Sequence, residues 1–149
     1  MNILVINGPN LNMLGVREPA IYGTGTYAQL CELIRETAAD LSVSVEIFQS
    51  NHEGALIDRI QEAYGRADGI VINPAGYTHT SVALADALAA VAIPAVEVHI
   101  SDVASREAFR QVSYVRNKCI ATISGHGFAG YVEALRLLAD RAAGAEASR

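Results

Sequence analysis

At 149 residues the chain has the length of one domain and can enclose a substantial core. Hydrophobic residues make up 51% and charged residues 18%, which excludes a disordered chain, and no apolar run approaches the ~18 residues of a membrane span. The net charge of −5 comes with no Lys/Arg stripe, which argues against nucleic acid as a partner.

The predicted elements alternate. NILVIN at 2–7 is a short apolar strand, and no basic segment precedes it, so a cytoplasmic protein is expected rather than a secreted one. GPNLNMLGVREPAIYG follows as a polar, glycine-punctuated loop. From Tyr27 to Asp40, Leu30, Leu33, Ile34, Thr37, Ala38 and, just beyond, Leu41 recur with the spacing of one buried helix face. Strands are then predicted at 43–48, 69–73, 95–99 and 119–124. Helices are predicted at 55–64, 81–90 and 130–141. Between 101 and 118 only a short helix around Ser105 to Phe109 is expected, and the tail AAGAEASR is small and polar enough to fray over about 143–149.

A βαβ series with short connections implies one α/β domain over 1–149. The expected fold is a flavodoxin-like, doubly wound five-stranded parallel sheet of order 2-1-3-4-5, with helices on both faces. Ligands in such sheets bind outside the carboxyl ends of the strands where the order reverses, here between strands 1 and 3. The loops at that point hold the densest polar groups in the chain: the stretch after strand 1, PAGYTHT after strand 3, and HIS at the end of strand 4.

Several side chains there suit acid–base chemistry. Asn10 and Asn73 leave strands 1 and 3 beside Gly and Pro, so each is a turn former or an oriented hydrogen-bonding group. His79 precedes Thr80 and Ser81, which are N-cap candidates for the next helix. Glu97 lies two residues before His99 on one face of strand 4, where a carboxylate can hold an imidazole in its charged form and make it a usable acid. Tyr22 shares its loop, about 15–25, with Arg17. Arg106 and Arg110 follow strand 4, and a guanidinium beside a phenol favours the phenolate, a base able to remove a proton next to a carbonyl. The glycines at 15 and 23 let that loop close and expel water.

Other chemistries fit less well. Cys31 and Cys119 are far apart, and neither they nor His79 and His99 have metal-ligand spacing. Of the eleven Lys and Arg residues only Lys118 is a lysine, a thin basis for Schiff-base catalysis. Gly125-His126-Gly127 is too short to be a phosphate-loop fingerprint. The fold also carries flavin proteins and phosphoacceptor receiver domains, but strand 1 ends in Asn-Gly-Pro-Asn where a receiver domain needs an acidic cluster.

NGPNLNMLGVREPAIYG, QSNHEGALID, INPAGYTHTSVAL and VEVHIS, in that order across nearly the whole chain, resemble the type II 3-dehydroquinate dehydratases. The resemblance implies dehydration of 3-dehydroquinate by anti elimination through an enolate, with no cofactor and no metal. It also implies assembly as trimers that associate into a homododecamer. By the same resemblance Tyr22 is the proton acceptor, His99 the proton donor and Arg17 a stabiliser of the transition state. Asn10, Glu97 and Arg106 complete the catalytic group, and Asn73, His79, Asp86, Ile100, Ser101 and Arg110 bind substrate, Asp86 from a neighbouring subunit. QSNHEG points to a structural or subunit-contact role for His52 and Glu53.

Three positions depart from the family pattern. Asp102 stands where Asn is usual and predicts repulsion of a substrate carboxylate. Ala85 replaces an Arg, and His126 replaces an apolar residue in a glycine turn.

Overall fold

The computed structural model describes residues 1–16 and 18–149, so Arg17 lies outside the described residues. Five strands, β1 (Asn2–Asn7), β2 (Ser44–Gln49), β3 (Gly69–Asn73), β4 (Ala95–His99) and β5 (Ala121–Ser124), form one sheet in the order β2-β1-β3-β4-β5. All neighbours are parallel, and β1 is in register with β3 so that Asn7 stands opposite Asn73.

Alternation along each strand divides the core between the two faces. Ile3, Val5, Val71, Val96 and Val98 pack under α2 (Tyr27–Asp40) and α5 (Ala129–Ala147), meeting Leu30, Ile34, Tyr131 and Leu135. Leu4, Ile6, Ile70 and Ile72 face α3 (Glu53–Glu62) and α4 (Val82–Val91), against Leu56, Ile60, Leu84 and Leu88. Burial on both sides explains why the central strands read as unbroken apolar runs.

Local signals set the helix starts. Thr26 and Gln29 form a reciprocal capping box on α2, at 3.2 and 2.9 Å. Ser81 Oγ accepts from Leu84 N at 3.0 Å to cap α4, so Ser81 is the cap and Thr80 is not.

Three expectations change. No helix spans Ser105 to Phe109; 3-10 turns occupy Val103–Ser105, Ala108–Gln111 and Arg116–Lys118. The break falls at Arg106 and Glu107, whose backbones are extended. There the Gln111 amide donates to the carbonyls of Val103, Ala104 and Arg106, taking acceptors a helix would have used. Pro19–Tyr22 forms a one-turn helix, α1, inside the loop that follows β1. The tail expected to fray continues α5 to Ala147, its four alanines favouring helix against the cost of Gly144.

Candidate active site

A cavity of about 240 Å³ opens at the carboxyl ends of β1, β3 and β4, at the switch point of the sheet. The turn that leaves β1 is tight. A side chain at Gly8 would place its Cβ 2.4 Å from the Pro74 carbonyl oxygen, and Gly8 N donates to Asn73 O at 2.8 Å. Asn10 follows in the left-handed region at φ 69°, a conformation Asn tolerates well, and its N–H donates to Asn51 Oδ1 at 3.0 Å.

Asn10, Tyr22, Asn73, His79 and His99 all line the cavity. So do Ile100, Ser101, Arg106 and Arg110. Nine of the twelve site residues read from the sequence therefore meet at one place. Glu97 sits immediately behind His99, fully buried. Asp86 is exposed on α4 and takes no part in this cavity of the single chain. The expectation for Arg17 falls outside the described residues.

On one side of the cavity, Arg106 donates from Nη1 to the Tyr22 hydroxyl at 2.8 Å, and its Cζ lies 5.4 Å from the centre of the Tyr22 ring. A guanidinium in this position holds the hydroxyl by a charge-assisted hydrogen bond and fixes the ring. Glu107 holds both arginines, its Oε2 lying 2.7 Å from Arg110 Nε and 3.8 Å from Arg106 Nε. A hydrogen bond from its own backbone, with Arg110 next, keeps its carboxyl below the usual range.

On the other side, His99 Nε2 lies 2.6 Å from Glu97 Oε1. Glu97 also accepts from Ser113 Oγ at 2.7 Å and Thr122 Oγ1 at 2.9 Å, while Arg116 Nε stands 3.6 Å away. Burial alone would push the Glu97 carboxyl up, but the hydrogen bonds from His99, Ser113 and Thr122 together with the charge of His99 outweigh it and hold the carboxyl down. Glu97 is thus an anion aimed at one ring nitrogen of His99, so the other, Nδ1, is the one available to a ligand.

His79 is held at the rim, its Nδ1 2.6 Å from Val112 O and its ring edge-on to Phe109. Burial lowers its pKa, the Val112 carbonyl opposes this, and Arg110 lowers it further. A neutral His79 that donates from Nδ1 presents Nε2 as an acceptor, which suits a ligand hydroxyl. After β4, Gly127 N donates to Ile100 O at 3.0 Å, and Gly125 N to Ser101 O at 3.1 Å. Because a trans peptide points its C=O and N–H oppositely, the Ser101 N–H faces away from that glycine loop. Gly125 has φ +83°, and a Cβ there would lie 3.1 Å from that of Asp102.

Of the departures from the family pattern, Asp102 is employed locally. Its Oδ1 accepts from Ala104 N at 3.1 Å to cap the turn Val103–Ser105. That cap employs one carboxylate oxygen and leaves the charge in place. Ala85 is buried in α4, and His126 pairs with Glu133 at 2.9 Å.

Sequence reasoning did not single out Tyr131, Asn7, Ser113 or Thr122. Tyr131 falls at a core position of α5 and reads as packing, yet its hydroxyl lies between two buried carboxamides, donating to Asn7 Oδ1 at 2.7 Å and accepting from Asn73 Nδ2 at 3.0 Å. The available signal was the matched Asn at the ends of strands 1 and 3.

Fold and site together define a doubly wound α/β protein whose titratable side chains gather in a cavity at its switch point. A sequence model described as Dehydroquinase class II matches residues 1–139, and the chain belongs to that family. It is 56% identical over 137 residues to a catabolic 3-dehydroquinase of Verticillium alfalfae, covering 92% of this chain and 91% of that protein. It is 51% identical over 138 residues to a 3-dehydroquinate dehydratase of Clostridium acetobutylicum, covering 93% and 96% respectively. The crystal structure of a type II dehydroquinase from Butyrivibrio crossotus superposes with a TM-score of 0.91 at 54% identity, covering 93% of this chain and 97% of that one.

Proposed function

We infer that this protein converts 3-dehydroquinate to 3-dehydroshikimate by removing water. The observation that carries the reading is the facing pair in one cavity: the Tyr22 hydroxyl held by Arg106 at 2.8 Å, and His99 held by Glu97 at 2.6 Å.

In the proposed reaction the Tyr22 phenolate removes a proton from the carbon alpha to the ketone, leaving an enolate. The enolate electrons form the ring double bond as the hydroxyl departs, and the His99 imidazolium protonates it so that water leaves. Tyr22 then holds the proton taken from the substrate carbon while His99 is one proton short, and exchange of a proton through solvent restores both groups. Asn10 and Asn73 supply hydrogen bonds that support the enolate oxygen, and Arg17 adds positive charge near the base. His79, Ile100, Ser101 and Arg110 bind the substrate hydroxyls and carboxylate.

Residues 15–25 act as a lid in this reading. We further propose a cytoplasmic homododecamer built of trimers, in which Asp86, exposed on α4, reaches a neighbour's cavity. Both biosynthetic and catabolic routes use this reaction.

Purified protein mixed with 3-dehydroquinate should generate the ultraviolet absorbance of the conjugated product, and Tyr22→Phe and His99→Ala should each abolish it. Absence of turnover in folded, assembled wild type would refute the assignment.

A further inference from the structure

We propose that Tyr131 is a positioning residue for the reaction above, orienting the Asn73 carboxamide so that one of its N–H groups is presented to the enolate. This rests on the proposed reaction and deepens it.

Asn73 Oδ1 accepts from Ala75 N at 3.1 Å, which fixes which end of the amide is oxygen. Nδ2 then donates one proton to the Tyr131 hydroxyl at 3.0 Å. Having accepted there, the hydroxyl gives its own proton to Asn7 Oδ1 at 2.7 Å, and Asn7 Nδ2 in turn faces the Tyr27 hydroxyl at 3.4 Å. Every bond in this chain runs in one direction, and the side chains of Asn73, Tyr131 and Asn7 that carry it are buried.

Asn7 and Asn73 are register partners at the ends of β1 and β3, so the Tyr131 hydroxyl bridges the sheet at its switch point. The second Asn73 N–H is the donor left over, on a residue that lines the cavity. A side chain that merely packed would not need a hydroxyl here. The burial that pushes the Tyr131 phenol well above its ordinary range keeps it a neutral donor and acceptor throughout the reaction.

A donor aimed where charge develops raises kcat more than it tightens substrate binding. Tyr131→Phe keeps the buried ring and removes only the bridge. It is expected to lower kcat about 10- to 100-fold, with KM within about twofold of wild type. In an Asn73→Ala background the same change should cause no further loss, whereas a purely structural defect would add to it.

Should Tyr131→Phe fail to fold, Asn7→Ala, which removes the acceptor that directs the hydroxyl proton, runs the same cycle. A crystal structure of the variant supplies a readout independent of turnover: the Asn73 carboxamide should be rotated from its wild-type position. An unmoved carboxamide, unchanged kcat, or equal losses in both backgrounds would overturn the proposal. If wild type fails to turn over 3-dehydroquinate, the reaction itself is wrong, and the crystal structure alone decides the positioning.

Discussion

Replacing Glu97 by Gln keeps the side-chain shape and removes the charge behind His99. Glu97 is fully buried, and its Oε1 lies 2.6 Å from His99 Nε2, a charge-assisted hydrogen bond whenever the imidazole is protonated. Bonds of that kind are worth about 1.5–3 kcal/mol. At about 1.36 kcal/mol per tenfold, losing that bond to the charged acid corresponds to a factor of roughly 10 to 150. Only the imidazolium can hand a proton to the departing hydroxyl, so kcat should fall by a similar factor, while KM stays within about threefold. Initial rates measured from product absorbance for wild type and variant side by side would show the loss. A kcat for Glu97→Gln within about threefold of wild type at neutral pH would refute the view that this carboxylate charges the acid.

Three further outcomes follow from the same geometry. Because the Glu97 carboxyl is held below its ordinary value of 4.5, it contributes stability above that pH and loses it as pH falls through the lower folded value; denaturant midpoints should drop there in wild type, with a flatter acid limb in Glu97→Gln. Arg106→Gln removes the 2.8 Å contact to Tyr22 and should cut kcat about 10- to 100-fold, measured by steady-state rates. Asp102→Asn retains an oxygen able to cap Ala104 N, so stability should stay within about 0.5 kcal/mol in urea titrations, while loss of the charge should lower KM; an unchanged KM would show that the Asp102 charge does not reach the substrate.

Much of this was legible in the sequence because two-sided burial writes itself plainly. Unbroken apolar strands such as GIVIN and helical stripes such as Leu30 to Leu41 leave little freedom in topology, and topology then places the loops that bear chemistry. The His99–Glu97 pair was readable from alternation along one strand. Less visible were contacts between side chains remote in sequence. The approach of Arg106 to Tyr22 depends on how the 101–118 segment turns, and there side chains such as Asp102 and Gln111 satisfy the backbone in place of a helix. The Tyr131 hydroxyl was hidden for another reason: at a core position of α5 an aromatic reads as packing, and only the register of β1 against β3 shows two carboxamides awaiting it.

The central claim is a division of labour between Tyr22 as base and His99 as acid. Incubation of 3-dehydroquinate in heavy water with each variant, followed by mass spectrometry, tests it most directly. His99→Ala should incorporate deuterium alpha to the ketone faster than the uncatalysed rate while forming little product, since the enolate still forms but its hydroxyl cannot leave; Tyr22→Phe should do neither. Exchange that survives in Tyr22→Phe, or vanishes in His99→Ala, would contradict the assignment of base and acid.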